Sequence, residues 1–537
     1  MKLLHTLNRA LAPVLLANAA ILFIALTVSP VHAQLAVQSN LPHLGEGADM
    51  GYSAERRLGD RIARELYRDP DYIDDPLLVE YVQGIWLPLL EAARQRGELS
   101  AELDATFAKE ILLSKERSVN AFALPGAYLG LHLGLVAVVT SRDELASVLA
   151  HELSHVTQRH IARMMTRQSQ QAPWILGAMI LGLLAASKSG PMAANATIVG
   201  GQAVAAQSQL NFSRDMEREA DRIGFSVATQ AGFAPEGFVS MFDKLQQSAR
   251  LNDSGNFPYL RSHPLSTERM ADMQARIGVG GGLDLPEPSP ASGPSSRRNV
   301  QEFDQTMLAA RAQVISHPAV DALRAWAQEV EPAALRRLTP ARQLGALYGA
   351  TLAAIRLHEY ANARQLWLRL SVKVGNDAPA ARLARLLGVE LYLAQNDGVQ
   401  AAALLKKGEG KTSTSGTSSR AELFLSAQAA LHGAPKTPVV ENLQTWVASH
   451  ARDAQAWQLL ALLYTEKGQT LGALRAQAEV SVAQLDFPAA LQRFKSAQEW
   501  VRKNGTSAGK SDHIEASIID TRTREMELLL REQALER

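Results

Sequence analysis

The stretch that follows the N-terminal segment repeats its apolar positions with the period of amphipathic helices. Apolar side chains recur every three or four residues from Glu55 to Tyr67 and again from Pro76 to Arg94. This spacing predicts two helices that each bury one face. Shorter apolar stretches at 111–113 and 120–124 are typical of strands.

A Pro125-Gly126 turn separates the second short strand from a segment rich in Leu, Val and Gly, residues 128–139. We interpret that segment as a further pair of strands. The pattern therefore predicts a small sheet that precedes the next helix.

That next helix carries the most informative motif of the chain. A mostly apolar run at 144–150 leads into His151-Glu152-Leu153-Ser154-His155. Ser141 followed by Glu144 fits a capping box and marks the helix start. On a helix, His151 and His155 lie on one face, where two imidazoles can bind one zinc ion, and Glu152 can reach a water at the metal. The alternative is a solvated helix face with two histidines.

A second helix supplies a candidate third ligand. In the segment 213–221, Glu217 and Asp221 are four residues apart and share a face, whereas Glu219 points away from it. Glu217 is suited to ligate zinc, and Asp221 to accept a hydrogen bond from a ligand histidine. The alternative is an exposed charged helix.

Composition limits the chemistry. The 537 residues include no cysteine, so disulfides and cysteine catalysis are excluded, and any zinc must be bound by His and carboxylates. With 55 basic and 54 acidic side chains the net charge is +1, which gives no reason to expect nucleic acid as a partner.

The N-terminus has the order of a secretory signal. Lys2 and Arg9 precede or flank an apolar stretch, 11–28, and small side chains at Val31 and Ala33 offer a cleavage site. We predict a signal peptide at 1–33 and a periplasmic mature chain. An uncleaved inner-membrane anchor is the alternative, because the apolar stretch approaches the length of a membrane span.

Two segments interrupt the predicted domains. The apolar run 174–186, within a hydrophobic insert at 173–206, is too short to span a bilayer. We interpret it as part of a buried or lid-like helical hairpin, with peripheral membrane contact as the alternative. The segment 279–299 is rich in Gly, Pro and Ser and is predicted to be a linker.

Residues 300–537 have the pattern of helical hairpins. Trp457, Leu460, Ala461, Tyr464 and Ala473 have the spacing of a tetratricopeptide repeat, in which small residues permit close helix contact. Generic helical hairpins are the alternative. The predicted fold is α+β and mostly α: a zincin-like metallopeptidase domain with a small sheet at 34–278, followed by an α-solenoid.

Taken together, these motifs resemble the HtpX-like metallopeptidases, and among them the periplasmic members that join a peptidase domain to tetratricopeptide repeats. The resemblance extends over nearly the whole chain. Its matching residues are Asn120 to Gly126, His151 to His155, Ser213-Arg214, Glu217, Ala220-Asp221, Ser262-His263-Pro264 and Arg269.

The resemblance implies that His151, His155 and Glu217 bind one zinc ion and that Glu152 is the general base. It also implies that His263 lies near the metal, where it either occupies the open coordination site or stabilises the oxyanion; a surface histidine is the alternative. Asn120 would lie on an edge strand that pairs with extended substrate.

The function implied is that of a periplasmic zinc endopeptidase in outer-membrane protein quality control. Its substrates would be unfolded or stalled outer-membrane β-barrel proteins, and its repeats would dock on the outer-membrane assembly machinery. Two alternatives stay open: a chaperone-like assembly factor with a latent protease, and an inner-membrane-anchored protease.

Overall fold

The structure is a computed structural model that describes residues 50–167, 213–251, 258–280, 303–408, 419–504 and 510–535. The predicted signal peptide, the 173–206 insert and nearly all of the 279–299 linker lie outside these described residues. Within them, no helix is both long and apolar enough to cross a membrane.

A four-stranded sheet lies in the first part of the fold. Its strands are β1 (Tyr72–Ile73), β2 (Glu110–Ser114), β3 (Ala121–Leu124) and β4 (Tyr128–His132). They are arranged in the order β1-β2-β4-β3, with β2 and β4 parallel and the other two pairs antiparallel. Strand β3 is therefore at an edge, and it packs beside the helix that carries the histidine motif.

The prediction of a strand pair at 128–139 was wrong in its second half. After β4 the chain forms helix α4 (Leu133–Val138). Its residues Leu133, Leu135 and Val136 are fully buried, so they give no alternation of apolar and polar positions. A short apolar run that is buried all round does not distinguish strand from helix.

The helices of this part surround the sheet and one central helix. In chain order they are α1 (Tyr52–Tyr67), α2 (Pro76–Gln95), α3 (Ala101–Thr106), α5 (Arg142–Thr157), α6 (His160–Arg167), α7 (Arg214–Gln230), α8 (Glu236–Leu251), α9 (Pro258–Ser262) and α10 (Thr267–Gly280). The central helix is α5, which contacts α2, α7, α8 and β3.

Helix α5 begins where the capping box predicts. The Ser141 hydroxyl accepts a hydrogen bond from the backbone N–H of Glu144 at 3.2 Å. The Glu144 carboxylate accepts one from the backbone N–H of Thr140 at 2.6 Å, one residue further back than in the usual box. Lys244 also contacts this carboxylate at 2.6 Å. The helix is then buried from Glu144 to Thr157.

The rest of the chain is an array of helices. They are α11 (Phe303–Ser316), α12 (Val320–Glu329), α13 (Pro332–Leu335), α14 (Pro340–Arg356), α15 (Tyr360–Lys373), α16 (Ala378–Ala394), α17 (Gly398–Lys406), α18 (Arg420–Leu431), α19 (Thr437–Ser449), α20 (Ala454–Glu466), α21 (Thr470–Ala483), α22 (Phe487–Asn504) and α23 (Lys510–Leu535). The mostly helical α+β fold is thus confirmed. That the hairpins are tetratricopeptide repeats, and where the domains divide, stay predictions.

The helical array packs directly on the first part of the fold, and both belong to one compact unit. Helix α11 lies against α4 as well as α14. Its Arg311 donates to Asp75 at 2.6 and 2.8 Å and to Glu390 at 2.6 and 2.9 Å. Because the Arg311 side chain is only 5% exposed, these two carboxylates supply the charge that its burial requires.

We expect Arg311→Met to lower the free energy of unfolding by about 3–5 kcal/mol, because it retains the aliphatic stem and leaves two carboxylates without their cation. Urea titration followed by tryptophan fluorescence measures this. Arg502→Ala, whose side chain is 75% exposed, is the control and should change stability by less than about 0.5 kcal/mol. Equal midpoints for Arg311→Met and the unsubstituted protein would contradict the expectation.

Candidate metal centre

Helices α5 and α7 lie side by side, and this contact brings the predicted site residues together. Gly224 on α7 approaches α5 so closely that a Cβ there would be 3.0 Å from the carbonyl oxygen of Ala150 and the nitrogen of His151. The Ser213 hydroxyl caps α7 by accepting from the N–H of Met216 at 3.2 Å. Glu217 on α7 therefore faces the His151 and His155 side chains.

The three predicted ligands form a buried cluster. Nε2 of His151 lies 3.0 Å from Nε2 of His155 and 3.5 Å from Oε2 of Glu217. Nε2 of His155 lies 3.4 Å from Oε1 of Glu217. With one ligand atom from each residue, His151, His155, Glu217 and His263 all lie within 4.8 Å of one another.

This geometry fits a tetrahedral metal ion. Ligands about 2.0–2.2 Å from one zinc ion are about 3.3–3.6 Å from each other, which is close to the spacings among the three side chains. Two imidazole nitrogens and one carboxylate are also a donor set that zinc accepts without cysteine. The buried cluster supports a metal ion; the choice of zinc stays a prediction.

Asp221 is hydrogen-bonded to His151. Its Oδ1 accepts a hydrogen bond from Nδ1 of His151 at 2.9 Å, which directs Nε2 towards the cluster. Arg269 donates two hydrogen bonds to the Asp221 carboxylate, from Nε at 2.6 Å and from Nη2 at 2.7 Å. Nη1 of Arg269 donates to the carbonyl of Pro264 and is 2.8 Å from Oε2 of Glu217. Sequence analysis identified Arg269 only as a residue that matches the family motif and did not predict its contact with Asp221.

Neighbouring charges raise the pKa of the buried histidine and lower the pKa values of the two buried carboxylates. Burial by itself would lower the pKa of His151, but Asp221 and Glu217 raise it to about 10. Burial would raise the pKa of Glu217, but His263, His151 and His155 lower it well below its ordinary range. For Asp221, burial is likewise outweighed by Arg269 and His151, so its pKa is lowered. Both carboxylates therefore stay anionic, as a cation site requires.

Glu152 is fully buried beside the cluster and is attached to the sheet edge. Its Oε2 accepts a hydrogen bond from the backbone N–H of Ala123 on β3 at 3.0 Å. Its Oε1 lies 3.4 Å from Nε2 of His263 and receives no hydrogen bond from the residues that the structure describes. Burial raises the pKa of this carboxyl, while His263 and His151 lower it in part. A raised pKa suits a general base that must also return a proton.

His263 lies in the cluster, which excludes the surface alternative. Its Nδ1 is 3.0 Å from Oε1 of Glu217 and 3.2 Å from Nε2 of His151. The ring stacks on Tyr259 of helix α9 with centroids 4.8 Å apart, and the N–H of His263, just after that helix, donates to the carbonyl of Tyr259 at 2.9 Å. The imidazole thus stands where a fourth ligand would, and it also faces Glu152.

Asn120 directly precedes the edge strand β3, and it is not part of the ligand cluster. Its carbonyl accepts a hydrogen bond from the N–H of His132 at 3.1 Å. Its buried Oδ1 has no hydrogen-bond donor within the described part of the chain. Its predicted role in binding substrate stays a prediction.

Sequence analysis did not predict that His160 and Glu219 lie together at the site. Nδ1 of His160 lies 2.8 Å from Nδ1 of His155, and Nε2 of His160 lies 3.0 Å from Oε2 of Glu219. His160 follows a break between α5 and α6 at Arg159, where φ is 52°. Two residues that are five apart on either side of a helix break do not share a helix face, so no sequence pattern predicts this contact.

The fold and the site define a metallopeptidase, and the comparison with protein families agrees. Residues 90–277 match the model of Peptidase family M48. The prediction of a metal-dependent peptidase is thereby confirmed.

The relatives of the chain are named as proteases or metalloendopeptidases. The Beta-barrel assembly-enhancing protease of Escherichia coli (strain K12) is 28% identical over 496 residues, 89% of this chain and 92% of that protein. A Vibrio cholerae protein with the same name, assigned provisionally, is 35% identical over 241 residues, which cover 47% of its length. The Mitochondrial metalloendopeptidase OMA1 of Saccharomyces cerevisiae is 28% identical over 203 residues, 55% of its length.

We expect zinc at about one hundred times its dissociation constant to stabilise the metal-free protein by about 2.7 kcal/mol, because the cluster exists only in the folded state. Thermal unfolding with and without chelator measures the effect. His155→Ala should remove most of the stabilisation, and Arg502→Ala should retain it. Equal stabilisation of His155→Ala would show that zinc binds elsewhere.

Proposed function

We propose that this protein is a zinc-dependent endopeptidase in which His151, His155 and Glu217 bind the metal and Glu152 is the general base. The observation that carries the proposal is the convergence of these three ligand side chains on one buried point, with a carboxylate oxygen of Glu152 beside it. When bound, zinc supplies a Lewis acid that makes water more acidic and polarises a carbonyl group.

The protein's own residues would handle the protons. Glu152 takes a proton from the attacking water and passes it to the leaving amine, for which its raised pKa is suited. Asp221 and Arg269 hold His151 in one orientation throughout. The His263 imidazole, whose Nε2 lies 3.4 Å from Oε1 of Glu152, would donate from that nitrogen to the oxyanion.

Substrate would bind along the free edge of β3. That edge is next to Glu152, and extended peptides commonly add a strand to such an edge. The N–H of Ala123 is bonded to Glu152, so a substrate strand that uses this donor would also release the carboxylate. Asn120 would fix the end of this strand.

The biological role rests on the relatives. Four of them are named Beta-barrel assembly-enhancing protease, and each matches more than four fifths of this chain. We infer a periplasmic protein, with a signal at 1–33, a peptidase domain at 34–278, a linker at 279–299 and tetratricopeptide repeats at 300–537. It would degrade misfolded or stalled β-barrel proteins and dock on the outer-membrane assembly machinery through the repeats.

Glu152→Gln should retain zinc and lower the rate of hydrolysis of an unfolded outer-membrane β-barrel protein by at least about a hundredfold, because the amide cannot accept the proton. Cleavage is followed by gel electrophoresis and mass spectrometry, and bound zinc by elemental analysis. Glu102→Gln, on the exposed side of α3, is the control and should cleave normally. Comparable turnover by Glu152→Gln would refute the assignment.

A second candidate is a chaperone-like assembly factor with a latent protease. The position of His263 favours it, because the imidazole lies among the ligand atoms where water would otherwise bind. Complementation of a deletion strain separates the two. Full rescue by Glu152→Gln would support the chaperone role, whereas loss of rescue would support hydrolysis.

A further inference from the structure

Helix α7 places three carboxylates around the ligand histidines and their partners. Glu217 faces the metal position, and Asp221 is bonded to Nδ1 of His151. The third, Glu219, extends from another side of α7 and reaches His160. Arg163 on α6 also contacts Glu219 at 3.0 Å, which holds the carboxylate in place.

His160 connects Glu219 to the second ligand histidine. Its ring is fully buried and lies edge-on to the His155 ring, with centroids 4.9 Å apart. Its Nε2 is 3.0 Å from Oε2 of Glu219, and its Nδ1 is 2.8 Å from Nδ1 of His155. The two ligand histidines are thus supported in parallel ways: His151 directly by a carboxylate, and His155 through a second imidazole.

The positions of the hydrogen atoms follow from the chemistry of these groups. An ionised carboxylate only accepts hydrogen bonds, so Nε2 of His160 carries a hydrogen. Nδ1 of a neutral His160 is then an acceptor, and the hydrogen between the two Nδ1 atoms belongs to His155. His155 in that tautomer presents the lone pair of Nε2 to the metal position.

We propose that Glu219 and His160 form a relay that fixes His155 in its metal-binding tautomer, so that zinc affinity depends on residues that do not contact the metal. His160 is a positioning residue in this arrangement. The inference rests on the proposed metal site and adds a requirement to it: His160 must offer an acceptor at the Nδ1 position.

Two substitutions of nearly equal shape separate this role from packing. His160→Asn places an amide oxygen close to the position of Nδ1, whereas His160→Leu has a similar volume and no acceptor. We expect His160→Leu to weaken zinc binding by about 10- to 100-fold. We expect His160→Asn to remain within about threefold of the unsubstituted protein. Affinity is measured by competition with a chromogenic chelator on the full chain.

Nitrogen-15 NMR of the histidine rings gives a second measurement. Its result would not change if His160 acted only by packing against its neighbours. The spectrum should show His155 with hydrogen on Nδ1 in the unsubstituted protein and in His160→Asn, and a tautomer mixture in metal-free His160→Leu. Zinc binding by His160→Leu as tight as that of the unsubstituted protein, or an unchanged tautomer, would overturn the relay.

One further variant and the unsubstituted protein keep the outcomes separable. If His160→Leu does not fold, Glu219→Ala is tested instead, because this side chain is 32% exposed and its removal leaves the core intact. A severalfold loss of zinc affinity supports the relay, and an unchanged affinity refutes it. Failure of the unsubstituted protein to bind zinc would refute the proposed metal site itself, a result distinct from failure of the relay alone.

Discussion

The close contact between α5 and α7 is the constraint on which the site depends. Each helix alone carries ionisable side chains that would prefer water. When the two pack together, His151, His155, Glu217 and Asp221 are buried almost completely, so each must find a partner of opposite charge or a hydrogen bond. Arg269 supplies the permanent positive charge, and a bound cation would supply the rest.

This constraint explains why a glycine, which has no side chain, lies at the contact. Gly224 lets α7 approach the backbone of α5 at Ala150 and His151. A larger residue would separate the helices and move Glu217 and Asp221 away from the imidazoles together. Packing, ligand geometry and the orientation of His151 are therefore determined by the same helix pair.

The sheet and the helical array surround this pair in different ways. Strand β3 is an edge strand whose Ala123 N–H bonds to Glu152, so the proposed base and the proposed substrate-binding edge are adjacent. The array is joined to the first part of the fold by α11 and by buried or half-buried arginine–carboxylate pairs: Arg311 with Asp75, Arg382 with Glu80, and Arg420 with Asp74. These pairs hold the array in direct contact with the first part of the fold.

The sequence by itself determined the local features. The capping residues follow from the unpaired N–H groups at a helix start, and the spacings of His151 with His155 and of Glu217 with Asp221 follow from helix periodicity. Both depend only on nearby residues. The same reasoning failed at 133–138, where complete burial removes the periodic signal. Only the tertiary structure decided that His263 lies against His151 and Glu217, that Arg269 is hydrogen-bonded to Asp221, and that His160 lies between Glu219 and His155. These contacts join residues that are distant in sequence or separated by a helix break, so no repeat along the chain encodes them.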